Sequence, residues 1–245
     1  MPPSLQFGRI PSQPDPRDYR LADFMPGRVA RFFTALTFTS RTWLYPRAAL
    51  NQGTTPHCVG FSMASFGNCE PTYDTYVDAD GHQFYAECKR VDGMPTQDGS
   101  TVRAAAKVLK ARGRIPSYAF AATVDEIKWW ILNRSPVIVG TVWTEGMLRP
   151  DTNYVIRATG KILGGHAYLL LGYDGTHFRG LNSWGRFWGN DGQFKIPEAD
   201  FKAIFAQGGE AVTAVEVADP DKPFPPKPAA PEKNEPGYKK NNKKK

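Results

Sequence analysis

The sequence predicts an α+β protein in which helices precede strands along the chain. Between about residue 58 and residue 134, apolar side chains recur at helical spacing beside capping and terminating residues. After Pro136 the apolar residues instead form short β-branched or aromatic runs separated by Gly and Asp turns. Helices segregated from strands in this way are typical of α+β domains.

Four helices are predicted in the first half of the chain, from apolar periodicity and from the residues that begin and end each segment. They are Cys58 to Cys69, a segment carrying Phe84, Cys88 and Val91 on one face and ended by Gly93, a segment from Ser100 to Gly113, and one beginning at the Thr123 to Glu126 capping box. A helix that begins at Cys58 would place this thiol at the positive end of a helix dipole.

Five strands are predicted in the second half, each a short β-branched or aromatic run bounded by turn residues. They are Val137 to Val139, Ala167 to Tyr173, Phe178 to Leu181, Gln193 to Ile196, and Ala211 to Val217.

These patterns divide the chain into four segments. Residues 1–40 are predicted to form an extended arm packed on the body, because Pro11, Pro14 and Pro16 oppose helix. Residues 41–134 form a mainly helical lobe and residues 135–218 a mainly β lobe. Residues 219–245 are predicted to be a disordered tail, since they contain seven prolines, eight lysines and few apolar side chains.

Composition restricts the class of protein. A 41% hydrophobic, 13% aromatic chain of 245 residues can bury a sizeable core. The formal charge is +7, but the tail, with eight lysines and four acids, holds more than half of it. The tail is therefore either a solvated, solubilising segment or an electrostatic contact to nucleic acid or an anionic surface.

Several features are expected to be absent. The sequence contains no run of about 18 apolar residues, so no transmembrane segment is expected. The first residues lack the apolar region of a secretory signal. Three cysteines argue against a disulfide scaffold; Cys69 and Cys88 are expected to be small buried residues, and whether they pair is left open. We therefore expect a cytoplasmic or virion-associated protein. No residue spacing suggests a metal site, and no cofactor is expected.

An ordered set of polar residues points to nucleophilic chemistry. Cys58 follows Gln52 by six residues, His166 follows two glycines, and Asn182 precedes Ser183-Trp184-Gly185. A thiol is weakly reactive at its ordinary pKa of about 8.5, so it needs a neighbouring imidazole or a helix N-terminus. The imidazole in turn needs a third group on its other nitrogen. The chain supplies a nucleophile, a base, a group that orients the base, and an amide donor.

The blocks around these residues resemble those of papain-like cysteine peptidases, especially the bacterial and phage members. The blocks are Gln52-Gly53, Cys58-Val59-Gly60-Phe61-Ser62, His166-Ala167-Tyr168 and Asn182-Ser183-Trp184-Gly185-Arg186-Phe187-Trp188-Gly189, and the similarity runs from about Pro14 to Val217. The resemblance implies a two-lobed fold, with the helical lobe facing an antiparallel, β-barrel-like lobe across the active-site cleft. It also implies a cysteine-type endopeptidase that cleaves a peptide or protein substrate through a thiolate and an acyl-enzyme.

The resemblance assigns a role to each residue of the set. Cys58 would be the nucleophile and His166 its proton-exchange partner. Asn182 would accept a hydrogen bond from the far nitrogen of His166, with Trp184 shielding that bond from water. The Gln52 amide and the Cys58 main-chain N–H would form the oxyanion hole.

Three residues are predicted to contact substrate. Gly99 occupies the position of a glycine stretch where relatives pair with the substrate backbone, and Gly165 leaves room for that backbone beside His166. Trp184 is the third. The side chains of the specificity pocket are not readable, although the stretches Val142 to Glu145 and near Ala206 are candidates.

The chain also departs from the family pattern. Thr55 and Val59 stand where the family often has a cysteine and an aromatic residue, and His57 directly before the nucleophile is unusual. The 108 positions between residues 58 and 166 are fewer than the ~130–150 typical of papain and the cathepsins. These departures concern the substrate pocket rather than the catalytic groups. The other histidines, His57, His82 and His177, are predicted to be non-catalytic.

Two other functions are compatible with the sequence. One is a cell-wall peptide or amide hydrolase on the same fold. The other is a non-catalytic virion or scaffold component that retains a peptidase body for binding.

Overall fold

Five α-helices and eight strands form within the described part of the chain, which in the computed structural model comprises residues 6–25 and 39–215. In chain order they are β1 (Tyr19–Arg20), β2 (Arg41–Thr42), α1 (Cys58–Asn68), α2 (Asp78–Val91), α3 (Val102–Ala111), β3 (Ser117–Phe120), α4 (Val124–Asn133), β4 (Val137–Thr144), β5 (Ile162–Tyr173), β6 (His177–Leu181), β7 (Gln193–Pro197), α5 (Glu198–Phe205) and β8 (Glu210–Val215). The predicted α+β class is confirmed, with most helices preceding most strands.

The four predicted helices form close to their expected bounds. Every residue of α1 is buried, which explains why its apolar residues surround the whole helix rather than forming one stripe. Helix α3 begins one residue later than predicted, because Thr101 and not Ser100 caps it: the Thr101 hydroxyl accepts a hydrogen bond from the Ala104 N–H at 3.1 Å. Thr123 caps α4 in the same way, through the Glu126 N–H.

The strands form one eight-stranded sheet in the order β1-β3-β8-β4-β5-β6-β7, with β2 added along β5. Strand β5 is the longest at 12 residues and pairs antiparallel with both β4 and β6. All five predicted strands are present. The sequence analysis missed β1, β2, β3 and α5, because strands of two to four residues and a helix of eight residues carry too little periodicity to detect.

Tertiary pairing crosses the predicted segments. Strand β3, from the segment assigned to the helical lobe, pairs with β8, and β1, from the arm, pairs parallel with β3. The segment boundaries at residues 41 and 135 stay predictions. The predicted tail, residues 219–245, lies outside the described residues.

The core lies between the sheet and the helices, and its largest fully buried side chains include Trp143, Tyr168 and Phe61. Cys58, Cys69 and Cys88 are buried and unpaired thiols. Within residues 6–25 and 39–215, no helix has both the length and the apolar character needed to cross a bilayer.

Candidate active site

Cys58 is the first residue of α1, so its sulfur lies at the N-terminal end of a wholly buried helix. Burial raises the pKa of the Cys58 thiol to about 11, although main-chain hydrogen bonding from Ala167, Gly8 and Val59 acts to lower it. The lowering of the thiol pKa expected from the helix N-terminus is thus outweighed by the removal of the thiol from water. In this state the thiol is neutral at physiological pH.

His166 and Asn182 come together because β5 and β6 are paired, with Leu169 opposite Leu181. The His166 Nε2 lies 2.8 Å from the Asn182 Oδ1. The same oxygen accepts a hydrogen bond from the Ser183 main-chain N–H at 2.8 Å, which identifies it as the acceptor end of the amide. Nε2 must therefore carry the proton, and Nδ1 is left with a lone pair.

The Nδ1 of His166 is buried and has no hydrogen-bond partner among the described residues. Burial lowers the pKa of His166 to about 4 and outweighs the hydrogen bond to Asn182, which acts to raise this pKa. The next residue along β5, Ala167, is the one whose N–H reaches the Cys58 thiol. The neutral imidazole of His166 and the neutral thiol of Cys58 therefore belong to the same buried part of the molecule, linked through the Ala167 N–H.

Two tryptophans pack on the His166 ring. Trp184 is 9% exposed and its ring centroid lies 5.0 Å from that of His166, while its role as a shield of the His166–Asn182 bond stays a prediction. Trp143 is wholly buried, with its ring centroid 4.8 Å from that of His166 in an edge-to-face arrangement. The sequence analysis placed Trp143 on a candidate pocket loop, but it lies within β4 and faces the core. The apolar run that continues from Val137 into Trp143 could have predicted that Trp143 belongs to a buried strand.

The orientation of the Gln52 amide is defined by hydrogen bonds on both of its sides. Its Oε1 accepts from the Ser183 hydroxyl at 2.7 Å, and its Nε2 donates to the Thr55 carbonyl at 2.6 Å. The second N–H of Nε2 faces the Gln6 carbonyl oxygen at 3.4 Å. One donor of the Gln52 amide is therefore directed at a peptide carbonyl, as an oxyanion donor must be.

Residues 6–10 of the arm run through the cleft beside Cys58. The Gly8 carbonyl accepts from the Ser100 N–H at 2.8 Å, and the Ile10 N–H donates to the Ser100 carbonyl at 2.8 Å. The Arg9 N–H donates to the Gly165 carbonyl at 2.8 Å. Residues 6–10 thus pack on the body, and their course explains why Cys58 and His166 are shielded from water.

Phe7 extends this cover over the histidine, with ring centroids 5.9 Å from His166 and 6.2 Å from Trp184. The arm is also held by its charges. The Arg9 guanidinium lies 2.6 Å from the Glu210 carboxylate, at a side-chain exposure of only 2%.

The predicted substrate-binding residues all lie along the path of the arm, but their contacts with the arm differ. Gly165 accepts from Arg9, and a Cβ at this position would lie 2.2 Å from the Arg9 carbonyl oxygen. Gly99 has a φ of +89° and allows Gly8 to approach closely, yet its own N–H donates to the Tyr85 hydroxyl and its carbonyl accepts from Lys89. The backbone pairing with the arm is made by the next residue, Ser100, and contact of Gly99 with a substrate stays a prediction.

The remaining histidines form hydrogen bonds with residues outside the set of Gln52, Cys58, His166 and Asn182. The Nδ1 atoms of His57 and His82 lie 2.7 Å apart, and the His57 ring stacks on Tyr85 with centroids 3.7 Å apart. His177 bonds the Thr176 hydroxyl. Among residues 6–25 and 39–215, no group of three or more His, Cys, Asp or Glu side chains is placed to hold a metal ion.

Comparison with known proteins places this geometry in a family context. No family model matches the sequence. A cathepsin B-like cysteine proteinase of Caenorhabditis elegans is 33% identical over 84 residues, which are 33% of this chain and 24% of the nematode protein. The matched segment thus spans about a quarter of that relative.

Solved structures match over most of the chain. Xylellain, a cysteine protease from Xylella fastidiosa, superposes with a TM-score of 0.64 at 19% identity, covering 88% of this chain and 98% of its own. A digestive procathepsin L2 proteinase from Tenebrio molitor larval midgut gives a TM-score of 0.56 at 18% identity, covering 87% and 79%. The fold is therefore the papain-like one, and the resemblance recognised from the motifs is confirmed. A bacterial or phage type stays a prediction.

Proposed function

We propose that this chain, which has the papain-like fold and a Cys-His-Asn arrangement in its cleft, is a cysteine peptidase. The observation that carries the proposal is the His166–Asn182 bond at 2.8 Å, with the acceptor oxygen identified by Ser183. It leaves the lone pair of the His166 Nδ1 free to act as a base, and the next residue, Ala167, contacts the Cys58 thiol through its main-chain N–H. Similarity to cysteine proteinases in sequence and in fold supports the same chemistry.

The reaction begins with transfer of the thiol proton to the His166 Nδ1. The Cys58 sulfur attacks the substrate carbonyl carbon, and the carbonyl oxygen takes the negative charge beside the Gln52 Nε2 and the Cys58 main-chain N–H. The C–N bond breaks as Nδ1 returns the proton to the leaving amine. Water, deprotonated by the same nitrogen, then attacks the thioester carbon, and the sulfur leaves with the proton.

The path of the arm supports an endopeptidase. Residues 6–10 cross the cleft as continuous chain, so polypeptide extends on both sides of the sulfur. A cleft that accommodates chain in both directions can accept an internal peptide bond.

The direction of the arm differs from that of a productive substrate. His166 protonates the leaving amine, so the C-terminal part of a substrate must lie on the side of His166 and Trp184. On that side the arm places Phe7, which precedes the residue at the sulfur. The arm therefore lies opposite to a productive substrate and covers the site.

No feature of the described residues favours the cell-wall hydrolase or the non-catalytic scaffold over the peptidase. A cytoplasmic or virion-associated location stays a prediction, as does contact of the tail with nucleic acid or an anionic surface.

The test is hydrolysis of casein-type and fluorogenic peptide substrates by the full chain carrying Arg9→Ala, a change that weakens the cover. We expect hydrolysis that disappears when Cys58→Ala is added. Cys69→Ala is the matched control, because Cys69 is also a buried free thiol and follows the end of the same helix. Hydrolysis that survives Cys58→Ala would contradict the proposal.

A further inference from the structure

Two histidines form a hydrogen bond beside the candidate nucleophile. His57 directly precedes Cys58 and is the N-cap residue of α1, whereas His82 lies on α2, and both are half-buried. Their Nδ1 atoms are 2.7 Å apart. At this distance one Nδ1 must carry a proton while the other offers a lone pair. Among the described residues, no other hydrogen bond joins α1 or its cap to α2.

The His57 ring also contacts the residue that supports one edge of the cleft. It stacks on Tyr85 of α2, with ring centroids 3.7 Å apart and an interplanar angle of 18°. The Tyr85 hydroxyl accepts a hydrogen bond from the Gly99 N–H at 2.9 Å. Gly99 and Ser100 form the cleft rim, where Ser100 pairs through its main chain with the arm. His57 therefore connects the start of α1 with the cleft rim.

The cleft rim is attached to α2 by two further polar contacts. The Lys89 ammonium donates to the Gly99 carbonyl at 2.9 Å. The Ser100 hydroxyl donates at 2.8 Å to the carboxylate of Asp92, the C-cap residue of α2. Lys89 and Asp92 also form an ion pair at 2.9 Å. Because the rim is held by α2 and Cys58 belongs to α1, their relative position depends on the contacts between the two helices.

Protonation breaks the link between the two histidines only at its second step. The first added proton can enter at an Nε2 atom, which leaves the hydrogen bond between the Nδ1 atoms in place. A second proton must take the remaining Nδ1 lone pair, so the bond is lost and two positive rings lie in contact. The pair therefore joins α1 to α2 in its neutral and singly charged forms but not in its doubly charged form.

The groups that face the pair do not offset a second positive charge. Cys58 on α1 and Tyr85 on α2 stay uncharged in acid, since burial raises the pKa of both. Burial and the charge of His82 lower the pKa of His57 to about 4, although the charge of Asp98 acts to raise it. The lowered pKa means that the link is intact at neutral pH and is lost as the pH falls through about 4.

We propose that His82 is a positioning residue, which acts through His57 to hold the cleft rim and Cys58 in their relative position, and that the second proton on the pair releases this hold. The inference rests on the proposed peptidase function. A substrate that pairs with the rim must also present its carbonyl carbon to the sulfur. A shift of the rim relative to α1 would therefore displace the bond to be cleaved.

The test compares His82→Ala with His82→Asn in the full chain carrying Arg9→Ala, by peptide hydrolysis between about pH 4 and pH 7. At pH 7 we expect His82→Ala to raise KM about threefold to tenfold, as for the loss of one hydrogen bond. His82→Asn should restore KM to within about twofold, because an amide can bond the His57 Nδ1 but does not titrate.

The pH profile separates positioning from a merely structural role. As the pH falls from 6 to about 4, the ratio of kcat/KM for His82→Asn to that for the Arg9→Ala parent should rise at least threefold. Protonation of His166 is common to both chains and cancels in this ratio. A ratio that does not change with pH overturns the proposal, and so does an asparagine variant as impaired as the alanine variant at pH 7.

His177→Asn is the matched control. His177 is also half-buried and bonds through its Nδ1, but its partner is the Thr176 hydroxyl, away from α1 and α2. Its ratio to the parent should stay at about one throughout. The same rise in this variant would assign the effect to the loss of any histidine and overturn the proposal.

Amide hydrogen exchange of the wild-type full chain gives a readout that needs no catalysis. NMR follows the Gly99 N–H, which donates to Tyr85. We expect its protection, relative to the intrinsic rate at each pH, to fall about tenfold between pH 6 and pH 4, and to stay constant in His82→Asn. If this holds while no peptide is hydrolysed, the peptidase proposal alone fails and the hold on the rim stands. Equal loss of protection in both chains overturns the hold even in an active peptidase.

Discussion

At the scale of single residues, Gln52 combines a structural and a chemical role. It is 1% exposed, its Oε1 accepts from the Ser183 hydroxyl, and its Nε2 donates to the Thr55 carbonyl. These two bonds hold the amide so that its remaining N–H points into the cleft, at the Gln6 carbonyl. A donor that is already oriented stabilises an oxyanion without reorganisation during the reaction.

We predict that Gln52→Ala lowers kcat by a factor equivalent to about 2.7–4 kcal/mol, the loss found when one oxyanion donor is removed. The free energy of unfolding should also fall by about 1–3 kcal/mol, because buried partners at Ser183 and Thr55 lose their bonds. Both quantities are measured, by peptide hydrolysis and by urea unfolding, in the Arg9→Ala chain.

Ser183→Ala is the matched control for this change. It breaks the bond to the Gln52 Oε1 but leaves the Nε2 donor in place, so stability should fall while kcat stays within about tenfold of the parent. If Ser183→Ala reduced kcat as much as Gln52→Ala, the amide would act only as a support and not as an oxyanion donor.

At the scale of elements, the arm contributes to the burial of the site. Burial raises the pKa of the Cys58 thiol to about 11 and lowers the pKa of the His166 imidazole to about 4. Both shifts favour the neutral forms. Neither group is charged at neutral pH while the arm is in place, and an uncharged thiol is a poor nucleophile.

We predict that iodoacetamide labels Cys58 slowly in the wild-type chain below pH 8, with a rate that rises as pH approaches 11, since deprotonation must follow the raised pKa. Arg9→Ala removes the buried ion pair of the arm and should accelerate labelling at pH 6 at least tenfold. Mass spectrometry of the modified peptide identifies the site.

Arg17→Ala is the control for the arm. Arg17 is also an arm arginine, but its side chain is 85% exposed and pairs with Asp15 within the arm itself. Labelling should therefore stay at the wild-type rate. Equal acceleration by both substitutions would show that the loss of charge, and not the buried anchor, controls access to Cys58.

At the scale of the whole molecule, the site depends on an aromatic cluster in the core of the sheet. Trp143 has no exposed surface and contacts the rings of His166, Tyr168, Trp184 and Phe194. The packing that stabilises the sheet is therefore the packing that orients the His166 ring.

We predict that Trp143→Ala lowers the free energy of unfolding by about 3–5 kcal/mol through the cavity it creates. It should also lower kcat, because His166 loses a ring that packs against it. Leu169→Ala is the comparison: Leu169 is fully buried on β5 with the opposite side-chain direction from His166.

Leu169→Ala should cost about 2–5 kcal/mol in stability and leave kcat of the folded chain unchanged. Urea unfolding and active-site titration of both variants in the Arg9→Ala background separate the two effects. Equal kcat values for the two variants would mean that Trp143 has no role in positioning the histidine.

The amino-acid sequence by itself determined the order of helices and strands, the caps at Thr101 and Thr123 to within one residue, and the polar set of Gln52, Cys58, His166 and Asn182. These features were predictable because capping, periodicity and short motifs depend on residues close together in the chain.

Only the tertiary structure decided that the arm covers the cleft, that Ser100 and not Gly99 pairs with it, that Trp143 packs on His166, and that Glu210 pairs with the buried Arg9. Arg9 and Glu210 are 201 positions apart. Local sequence patterns carry no information on which distant residues meet, because such contacts depend on how the sheet orders its strands, and here that order brings β8 beside β4.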